Sequence, residues 1–229
     1  MTKSILVHYK KLVEFLGMAL GPDYEIALHD FSSDAREIVA LANGAVSGRS
    51  VGAPLTDLAL KMLVDKEYET REYRANYKAV SKDDKVLRSS TLFIKDERGK
   101  PVGMLCVNFD GSKYADISDR IMQLCHPNEM IPSRVASSTA DVLRSDTVEN
   151  LSDSITETTA KVLRESLEDF GVPVERLTQE EKLSVVGRLD RRGVFLLKGA
   201  VGQVARELRC SEASVYRYIA KLHRGRNRK

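Results

Sequence analysis

The sequence predicts an α+β protein in three parts: an N-terminal domain built on an antiparallel sheet, a linker with a connecting helix, and an all-α C-terminal domain. Three observations lead to this prediction. The first half alternates strand-like runs with turn residues, the stretch 127–153 is rich in Ser and Asp and contains Pro, and the last part carries helical periodicity. We place the three parts at residues 1–126, 127–173 and 174–229.

The N-terminal domain opens with an amphipathic helix over residues 4–20, which ends at Gly21-Pro22. Helical spacing returns in LTDLALKML (55–63) and ISDRIMQLC (117–125), and a Gly-rich loop occupies residues 44–54. The remaining runs alternate as strands do and predict an antiparallel sheet of about five strands. They are YEIALHDF, EIVALAN, ANYKAVS, KVLRSSTLFIKDE and KPVGMLCVNFD.

A connecting helix is predicted over residues 154–171. Ser154 and Glu157 fit a capping box, and Gly171 with Pro173 marks the end. The helix has an apolar face that can pack on a domain of the same chain or on its own copy in a dimer. The face consists of Ile155, Val162, Leu163, Leu167 and Phe170. This helix and the N-terminal helix are therefore the candidate dimer surfaces.

Charge is unevenly distributed along the chain. The formal net charge is +3, but residues 176–229 carry 14 Lys and Arg against 5 Asp and Glu, a balance of +9. The preceding residues carry 22 basic against 28 acidic side chains, a balance of −6. Such a split suggests that the C-terminal end binds a polyanion, although a basic surface is also compatible with solubility alone.

Several classes of protein are excluded by composition. No apolar run reaches the roughly 18 residues of a transmembrane helix, and charged residues interrupt the N-terminal helix, unlike a signal peptide. The cysteines Cys106, Cys125 and Cys210 are widely spaced, without a CxxC pair. The histidines are dispersed, and no HExxH, Walker, GxSxG or GxGxxG motif occurs. We expect a cytoplasmic protein that makes no membrane contact, with no catalytic residues, no metal and no cofactor.

The C-terminal domain has the spacing of a helix-turn-helix. Thr178 and Glu181 form a capping box that opens the first of three helices. The next two helices carry apolar stripes, which are Val201, Val204, Ala205 and Leu208, then Val215, Tyr218, Ile219 and Leu222. Only Arg209 and Cys210 separate Leu208 from Ser211, a good N-cap, so the two helices must cross steeply. Arg209 stands where many such joints use Gly, and we expect a positive φ there.

The outward side of the last helix is predicted to enter the major groove of DNA. Side chains expected at base edges are Ser211, Glu212, Ala213, Tyr216 and Arg217, with Ser214 beside them. Side chains expected at phosphates are Gln203, Arg206 and Lys221. The basic tail, with Arg224, Arg226, Arg228 and Lys229, is expected to add affinity but little sequence reading. The alternative is a basic helical hairpin that packs on something other than DNA.

The whole chain resembles the YheO-like family of bacterial transcriptional regulators. The resemblance is carried by GPDYEIALHDFS, IVALANG, SGRSVGAPLTDLALKML, VLRSSTLFIKDERGKPVGMLCVNFD and VARELRCSEASVYRYIAKL. It implies a PAS-like sensor domain joined to a helix-turn-helix, and a repressor of amino-acid catabolism genes, D-arginine use being the best-known case. Two departures are Ala45, where relatives are expected to have His, and Asp84, where they are expected to have Gly.

A PAS-like fold implies a cavity between the sheet and the loop-helix side, suited to a small effector. Polar residues expected to converge there are His29, Asn43, Ser47, Arg49, Thr56, Asp57, Tyr77, Ser90 and Asn108. Arg49 can clamp a carboxylate and Asp57 can accept an ammonium, a pairing that suits an amino acid. For any one of these residues, a purely structural role is the competing interpretation.

Two functions from different classes remain open. The first is a regulator, a homodimer that binds a double-stranded DNA operator under the control of a small effector. The second is a protein-interaction scaffold, in which the PAS-like domain docks a partner and the basic end is accessory.

Overall fold

The computed structural model describes residues 2–31, 36–125, 149–151, 155–168 and 174–226. Their helices and strands follow the predicted order. They are α1 (Thr2–Leu20), β1 (Tyr24–Asp30), β2 (Ile38–Ala42), α2 (Asp57–Val64), α3 (Glu67–Thr70), β3 (Tyr73–Val80), β4 (Val86–Lys95), β5 (Pro101–Phe109), α4 (Ser112–Cys125), β6 (Glu149–Asn150), α5 (Ile155–Glu168), α6 (Gln179–Arg191), α7 (Ala200–Glu207) and α8 (Glu212–Arg226). None of the described helices combines the length and apolar character needed to cross a bilayer.

The strands form one sheet in the order β2-β1-β5-β4-β3-β6. The strands predicted from the sequence pair antiparallel, as expected, so the predicted α+β class and sheet are confirmed. β6 is an addition that the sequence did not indicate. It pairs parallel with β3 and comes from the stretch predicted to be linker.

Alternation along the strands gives the sheet two different faces. On one face, Ile26 and Leu28 of β1 pack with Leu6 and Val13 of α1. Gly17 lets the end of α1 approach β2 closely, because a Cβ there would lie 2.4 Å from the Cβ of Ala42. We call the opposite side the inner face. It carries Ala27, Phe93, Met104 and Cys106, and its apolar core includes α2 and continues into the C-terminal helices.

α4 begins five residues earlier than predicted, at Ser112 rather than at Ile117. The Asp110 carboxylate accepts a hydrogen bond from the Ser112 backbone N–H at 3.0 Å, which satisfies a free donor at the start of the helix. The short helix α3 was not predicted either, and it follows Lys66, whose φ is +53°. A four-residue helix has too few residues to show periodicity.

The apolar face of the connecting helix packs inside its own chain. Val162 and Leu163 of α5 are buried, and Leu167 packs with them against the helices α6 and α7. Arg188 of α6 donates to the Ser166 carbonyl at 3.3 Å, and Arg192 pairs with Glu165 at 2.5 Å. Ser154, Phe170, Gly171 and Pro173 lie outside the described residues. These contacts fit the predicted packing within the same chain, and the use of this helix in a dimer stays a prediction.

Candidate nucleic-acid interface and buried polar site

The joint between α7 and α8 has helix-turn-helix geometry. The Cys210 N–H donates to the Ala205 carbonyl at 2.9 Å, which closes the turn after α7. Arg209 has a φ of +48°, as expected from its place in the joint. The Ser211 hydroxyl accepts from the Ser214 N–H at 3.2 Å, so the predicted N-cap of α8 is present. The capping box of Thr178 and Glu181 at the start of α6 is also confirmed.

The predicted apolar stripes turn inward and hold the three C-terminal helices together. Val204, Leu208 and Val215 are fully buried, and Tyr218 is nearly so. α6 completes the unit, since a Cβ at Gly187 would lie 3.4 Å from Leu222 of α8. With this side buried, the opposite side of α8 is left for recognition.

Most side chains predicted to contact DNA lie on that open side. The exposed ones are Arg206, Ser211, Glu212, Ala213, Tyr216, Arg217, Lys221 and Arg224, and Ser214 is half-buried. Tyr216 stands out because it is aromatic and 58% exposed. Arg226 ends α8, while Arg228 and Lys229 lie outside the described residues.

Gln203 does not fit its predicted role. It is only 7% exposed, its amide nitrogen donates to Glu207 at 3.1 Å, and its amide oxygen accepts from Arg206 at 2.5 Å. The helical spacing placed Gln203 beside Arg206, but packing in the bundle draws it inward. Gln203 therefore orients Arg206 rather than offering a free group to a phosphate.

An open groove of about 920 Å³ runs between residues 193–199, α7 and α8. Arg206 and Tyr216 line it together with Lys198, which the sequence analysis did not select. Lys198 directly precedes Gly199, the positive-φ residue at the N-cap of α7. A basic residue just before the first helix of the pair was the signal available in the sequence.

The second site is a cluster of buried polar side chains on the inner face of the sheet. Strand alternation directs Glu25 and His29 of β1, Ser89 and Thr91 of β4, and Asn108 of β5 to this side. Each of the five is no more than 2% exposed. Polar groups this deeply buried are costly unless they are hydrogen-bonded to each other or to a ligand.

Glu25 is the centre of one hydrogen-bonded chain. Asn108 donates its amide to Glu25 Oε1 at 2.8 Å and accepts from the Ser89 hydroxyl at 2.7 Å. The Ser47 hydroxyl donates to Glu25 Oε2, and the backbone N–H of Arg49 donates to that hydroxyl at 3.2 Å. The Gly-rich loop is thereby tied to the sheet.

Glu149 is the centre of a second chain. Its carboxylate accepts from the Thr56 hydroxyl at 2.5 Å and from the Tyr77 hydroxyl at 3.0 Å. Tyr77 also contacts Thr91 at 2.8 Å, and Thr91 reaches Cys106 Sγ at 3.3 Å. β6 therefore delivers a carboxylate into the inner face.

Arg49 and His29 retain hydrogen-bonding capacity in this cluster. Arg49 is 5% exposed and donates through Nη2 to the Pro54 carbonyl, while its Nε has no partner among the residues that the structure describes. His29 is 2% exposed, and its Nδ1 has no partner within the described part of the chain. Buried nitrogens without partners are rare in native proteins, so these two atoms are candidate ligand contacts.

Comparison with known proteins agrees with this architecture. Residues 1–126 match the model of the YheO-like PAS domain, and residues 158–220 match that of an HTH domain. The chain belongs to the family of YheO-like PAS domain proteins. Because its PAS domain is joined to an HTH domain, the chain is a DNA-binding transcriptional regulator.

The relatives span nearly the whole chain. YheO of Escherichia coli (strain K12) is 29% identical over 223 residues, which cover 97% of this chain and 86% of YheO. The transcriptional regulator DauR of Pseudomonas aeruginosa is 25% identical over 220 residues, 96% of this chain and 95% of DauR. The structure of a phage VqmA–DPO complex covers 94% of this chain and 89% of its own, at 14% identity and a TM-score of 0.34.

Burial shifts the pKa values of Glu25, Glu149 and His29 in the buried cluster. Desolvation raises the pKa of Glu25, and the hydrogen bonds from Ser47 and Asn108 oppose it only in part. Desolvation likewise raises the pKa of Glu149, against the hydrogen bond from Thr56 and the charge of Arg49. The pKa of His29 lies well below its usual value, because of burial and the Arg49 charge, so His29 is neutral at physiological pH.

The predicted effector residues divide into two groups. His29, Ser47, Arg49, Thr56, Tyr77 and Asn108 come together in the buried cluster. Asp57 is half-buried at its edge, where its carboxylate accepts from the Leu58 N–H at 2.9 Å. Asn43 and Ser90 lie elsewhere.

Asn43 and Ser90 have local structural roles instead. The Asn43 amide donates to the carbonyls of Gly17, Gly21 and Tyr24 and so joins the end of α1 to β1. Ser90 points to the other face of the sheet, where its hydroxyl accepts from the Asn76 N–H at 3.1 Å. Its strand neighbours Ser89 and Thr91 point inward, so the error is one residue of register.

Sequence reasoning missed Glu25, Ser89, Thr91, Cys106 and Glu149 as members of the cluster. Alternation from His29 back through Ala27 was a signal for Glu25. No local signal identified Glu149, because its partners Thr56 and Tyr77 are 93 and 72 residues away.

Proposed function

We propose that the chain is an effector-controlled homodimeric repressor, with its effector in the buried polar cluster and its operator on α8. The observation that carries the proposal is the pair of deeply buried nitrogens, Arg49 Nε and His29 Nδ1, inside a PAS domain joined to an open recognition helix. Control of amino-acid catabolism genes, with D-arginine use as the best-known case, is the role that the family resemblance implies. One chain thus contains a candidate effector-binding site and a candidate DNA-binding helix.

The chemistry of the cluster favours an effector with a carboxylate or carbonyl oxygen. Arg49 Nε–H is a donor whose charge makes it a strong one. The neutral His29 ring can donate or accept at Nδ1, depending on its tautomer. Glu25 and Glu149 bring acceptors nearby that suit an ammonium or guanidinium group. A zwitterionic amino acid carries both a carboxylate for these donors and an ammonium group for these acceptors.

Calorimetric titration with a panel of amino acids and small carboxylic acids tests the sensor. We expect saturable binding of one class that Arg49→Ala abolishes. Ser90→Ala is the matched control, because Ser90 lies on the other face of the sheet. Binding of nothing in the panel, or equal loss in both variants, would reject the buried cluster as the effector site.

On DNA, we propose that Arg217 and its neighbours on α8 read bases, while Arg206, Lys221 and Lys198 contact phosphates. Arg206 and Lys198 line the same groove beside α8, as expected of residues that follow a backbone next to the recognition helix. Fluorescence anisotropy with DNA from upstream of the gene, against random competitor, measures the preference. A preference that weakens steeply with salt supports the operator, and equal affinity for both DNAs contradicts it.

The dimer is proposed to form through helices of the PAS domain. On α4, Tyr114, Ile117, Ile121 and Leu124 recur at helical spacing and are all more than half exposed. Phe15 and Met18 of α1 are exposed as well, at 63% and 87%. Two monomers that bury these apolar faces against each other would bring two recognition helices together in one dimer.

The same apolar face of α4 favours the second candidate, a scaffold that docks another protein. Light scattering of wild type and Ile117→Glu separates the two. A wild-type dimer that Ile117→Glu converts to a monomer supports the first function. A monomeric wild type without DNA preference supports the scaffold.

A further inference from the structure

We propose that Glu149 is a latch that ties the connecting helix α5 to the buried polar cluster, so that removing Glu149 from Thr56 and Tyr77 frees β6 and changes the affinity for DNA. The inference rests on the proposed function, because it assigns a regulatory route to the proposed effector site.

The backbone attachment of β6 is slight. Glu149 and Asn150 pair with Ala79 and Val80 at the edge of the sheet, and the Leu151 N–H donates to the Val80 carbonyl at 2.9 Å. Leu151 is buried in a small cluster with Val46, Ala79 and Leu87. A two-residue edge strand has few backbone bonds, so its side chains must contribute much of its docking.

The Glu149 side chain contributes to this docking through its bonds in the buried polar cluster. It is 3% exposed, and both carboxylate oxygens are hydrogen-bonded, one by Thr56 and the other by Tyr77. The Thr56 hydroxyl is also the N-cap of α2, since it accepts from the Ala59 N–H at 3.1 Å. Both partners were predicted effector contacts. A ligand that accepts a hydrogen bond from either hydroxyl therefore competes directly with Glu149.

The charge of Arg49 determines whether effector binding favours or opposes the docking of β6. Desolvation raises the pKa of the buried Glu149 carboxyl group, and the positive charge of Arg49 opposes that shift. An effector carboxylate at Arg49 Nε would neutralise this positive charge and so weaken the attraction between Arg49 and the Glu149 carboxyl group. Effector binding and docked β6 are then mutually unfavourable, and this antagonism is reciprocal.

The route from β6 to the DNA-binding unit is short. α5 begins at Ile155, four residues after Leu151. Val162 and Leu163 of α5 pack in the core that includes α7, the first helix of the pair. Arg192 and Glu165 join α5 to the end of α6. A change in the position of β6 therefore reaches the packing around α7 and α8 through one helix.

A second physical connection passes through α2 and provides the rival route. Thr56 caps the start of α2, and Val64 at its end touches the turn after α6, where a Cβ at Gly193 would lie 2.8 Å from Val64 Cγ2. If the signal passes along α2 alone, loss of Glu149 leaves α5 unchanged. The two routes therefore differ in what happens to α5.

Hydrogen–deuterium exchange of the full chain tests the latch without DNA or effector. We expect Glu149→Ala to accelerate amide exchange at Leu151 and in α5 by about tenfold or more, while β4 and β5 keep wild-type rates. Glu149→Gln retains an acceptor for Thr56 and should stay within about threefold of wild type. Tyr77→Phe, which removes the hydrogen bond to Glu149 and the one to Thr91, should act in the same direction as Glu149→Ala and serves if that variant does not fold.

Glu97→Ala, a substitution in the exposed turn between β4 and β5, controls for loss of a Glu in general. Wild-type exchange at Leu151 and α5 in both Glu149→Ala and Tyr77→Phe would overturn the latch. DNA affinity, measured by anisotropy, should differ at least about threefold between Glu149→Ala and Glu149→Gln. Accelerated exchange with unchanged affinity would also overturn it and leave the regulator intact. A wild type with no DNA preference would instead refute the proposed function.

Discussion

The Asn108 amide donates to Glu25 Oε1 at 2.8 Å in the middle of the inner face, between neighbouring strands. This bond supports the ionised form of a buried carboxylate, but the cost of desolvation is larger and raises the Glu25 pKa. Because the folded-state pKa exceeds the unfolded one, Glu25 favours folding most below its unfolded pKa. That contribution is lost as pH rises through the folded pKa.

The difference in unfolding free energy between wild type and Glu25→Gln should therefore fall as pH rises from about 4.5 upward. Urea denaturation at several pH values measures this difference. Glu97→Gln, in an exposed turn, should show no such trend. A wild type that gains stability over Glu25→Gln with rising pH would contradict the assigned direction.

Gly193 and Gly199 form a natural pair for testing the contact between α2 and the C-terminal unit. Both have positive φ, +75° and +85°, but only Gly193 has neighbours that a Cβ would meet. Either Ala variant should cost about 1 kcal/mol for the backbone conformation. Gly193→Ala should cost about 1–3 kcal/mol more, through overlap with Val64. Equal losses of unfolding free energy in the two variants, measured by thermal or urea unfolding, would mean that the turn at Gly193 does not pack closely against α2.

The φ of +48° at Arg209 predicts relief of strain on substitution by Gly. Arg209 also pairs with Glu175 at 2.8 Å, an exposed ion pair that either Gly or Ala removes. Arg209→Gly should therefore be more stable than Arg209→Ala by about 1 kcal/mol. Denaturant unfolding of the two variants isolates the backbone effect, and a more stable Ala variant would exclude it.

Arg217 is exposed on the recognition side of α8, where it can reach a guanine. Arg217→Ala should weaken binding to the cognate site by about 1–3 kcal/mol and affect random DNA far less. Arg224→Ala should lower both affinities alike, as a phosphate contact does. Competition anisotropy gives both numbers. An equal loss on both DNAs for Arg217→Ala would assign Arg217 to phosphate.

The cysteines should differ sharply in reactivity. Burial raises the pKa of the Cys106 thiol to about 12, so its thiolate is scarce at neutral pH, whereas Cys125 at the end of α4 is exposed. Ellman's reagent should label Cys125 in the native protein and Cys106 only after unfolding. Cys125→Ser identifies the fast phase. Native labelling of Cys106 would indicate that the inner face opens to solvent.

Local patterns in the sequence determined the elements and much of the DNA-binding unit. The capping box at Thr178, the N-cap at Ser211 and the positive φ at Arg209 all depend on residues a few positions apart. Strand alternation likewise predicted the sheet, while the cavity implied by the family resemblance brought Arg49, Tyr77 and Asn108 into consideration together. The resemblance to the YheO-like family, carried by long motifs, is confirmed by the matching domain model.

Tertiary structure alone decided which polar groups meet. Ser90 was selected where its neighbours Ser89 and Thr91 face inward, because a run of three hydroxyl residues does not reveal its register. Gln203 is buried by neighbouring helices, although its spacing alone placed it on an open face. The Thr56–Glu149 bond spans 93 positions and depends on an edge strand of two residues. Such a contact leaves no period in the sequence, since its free energy comes from side chains that only the folded chain brings together.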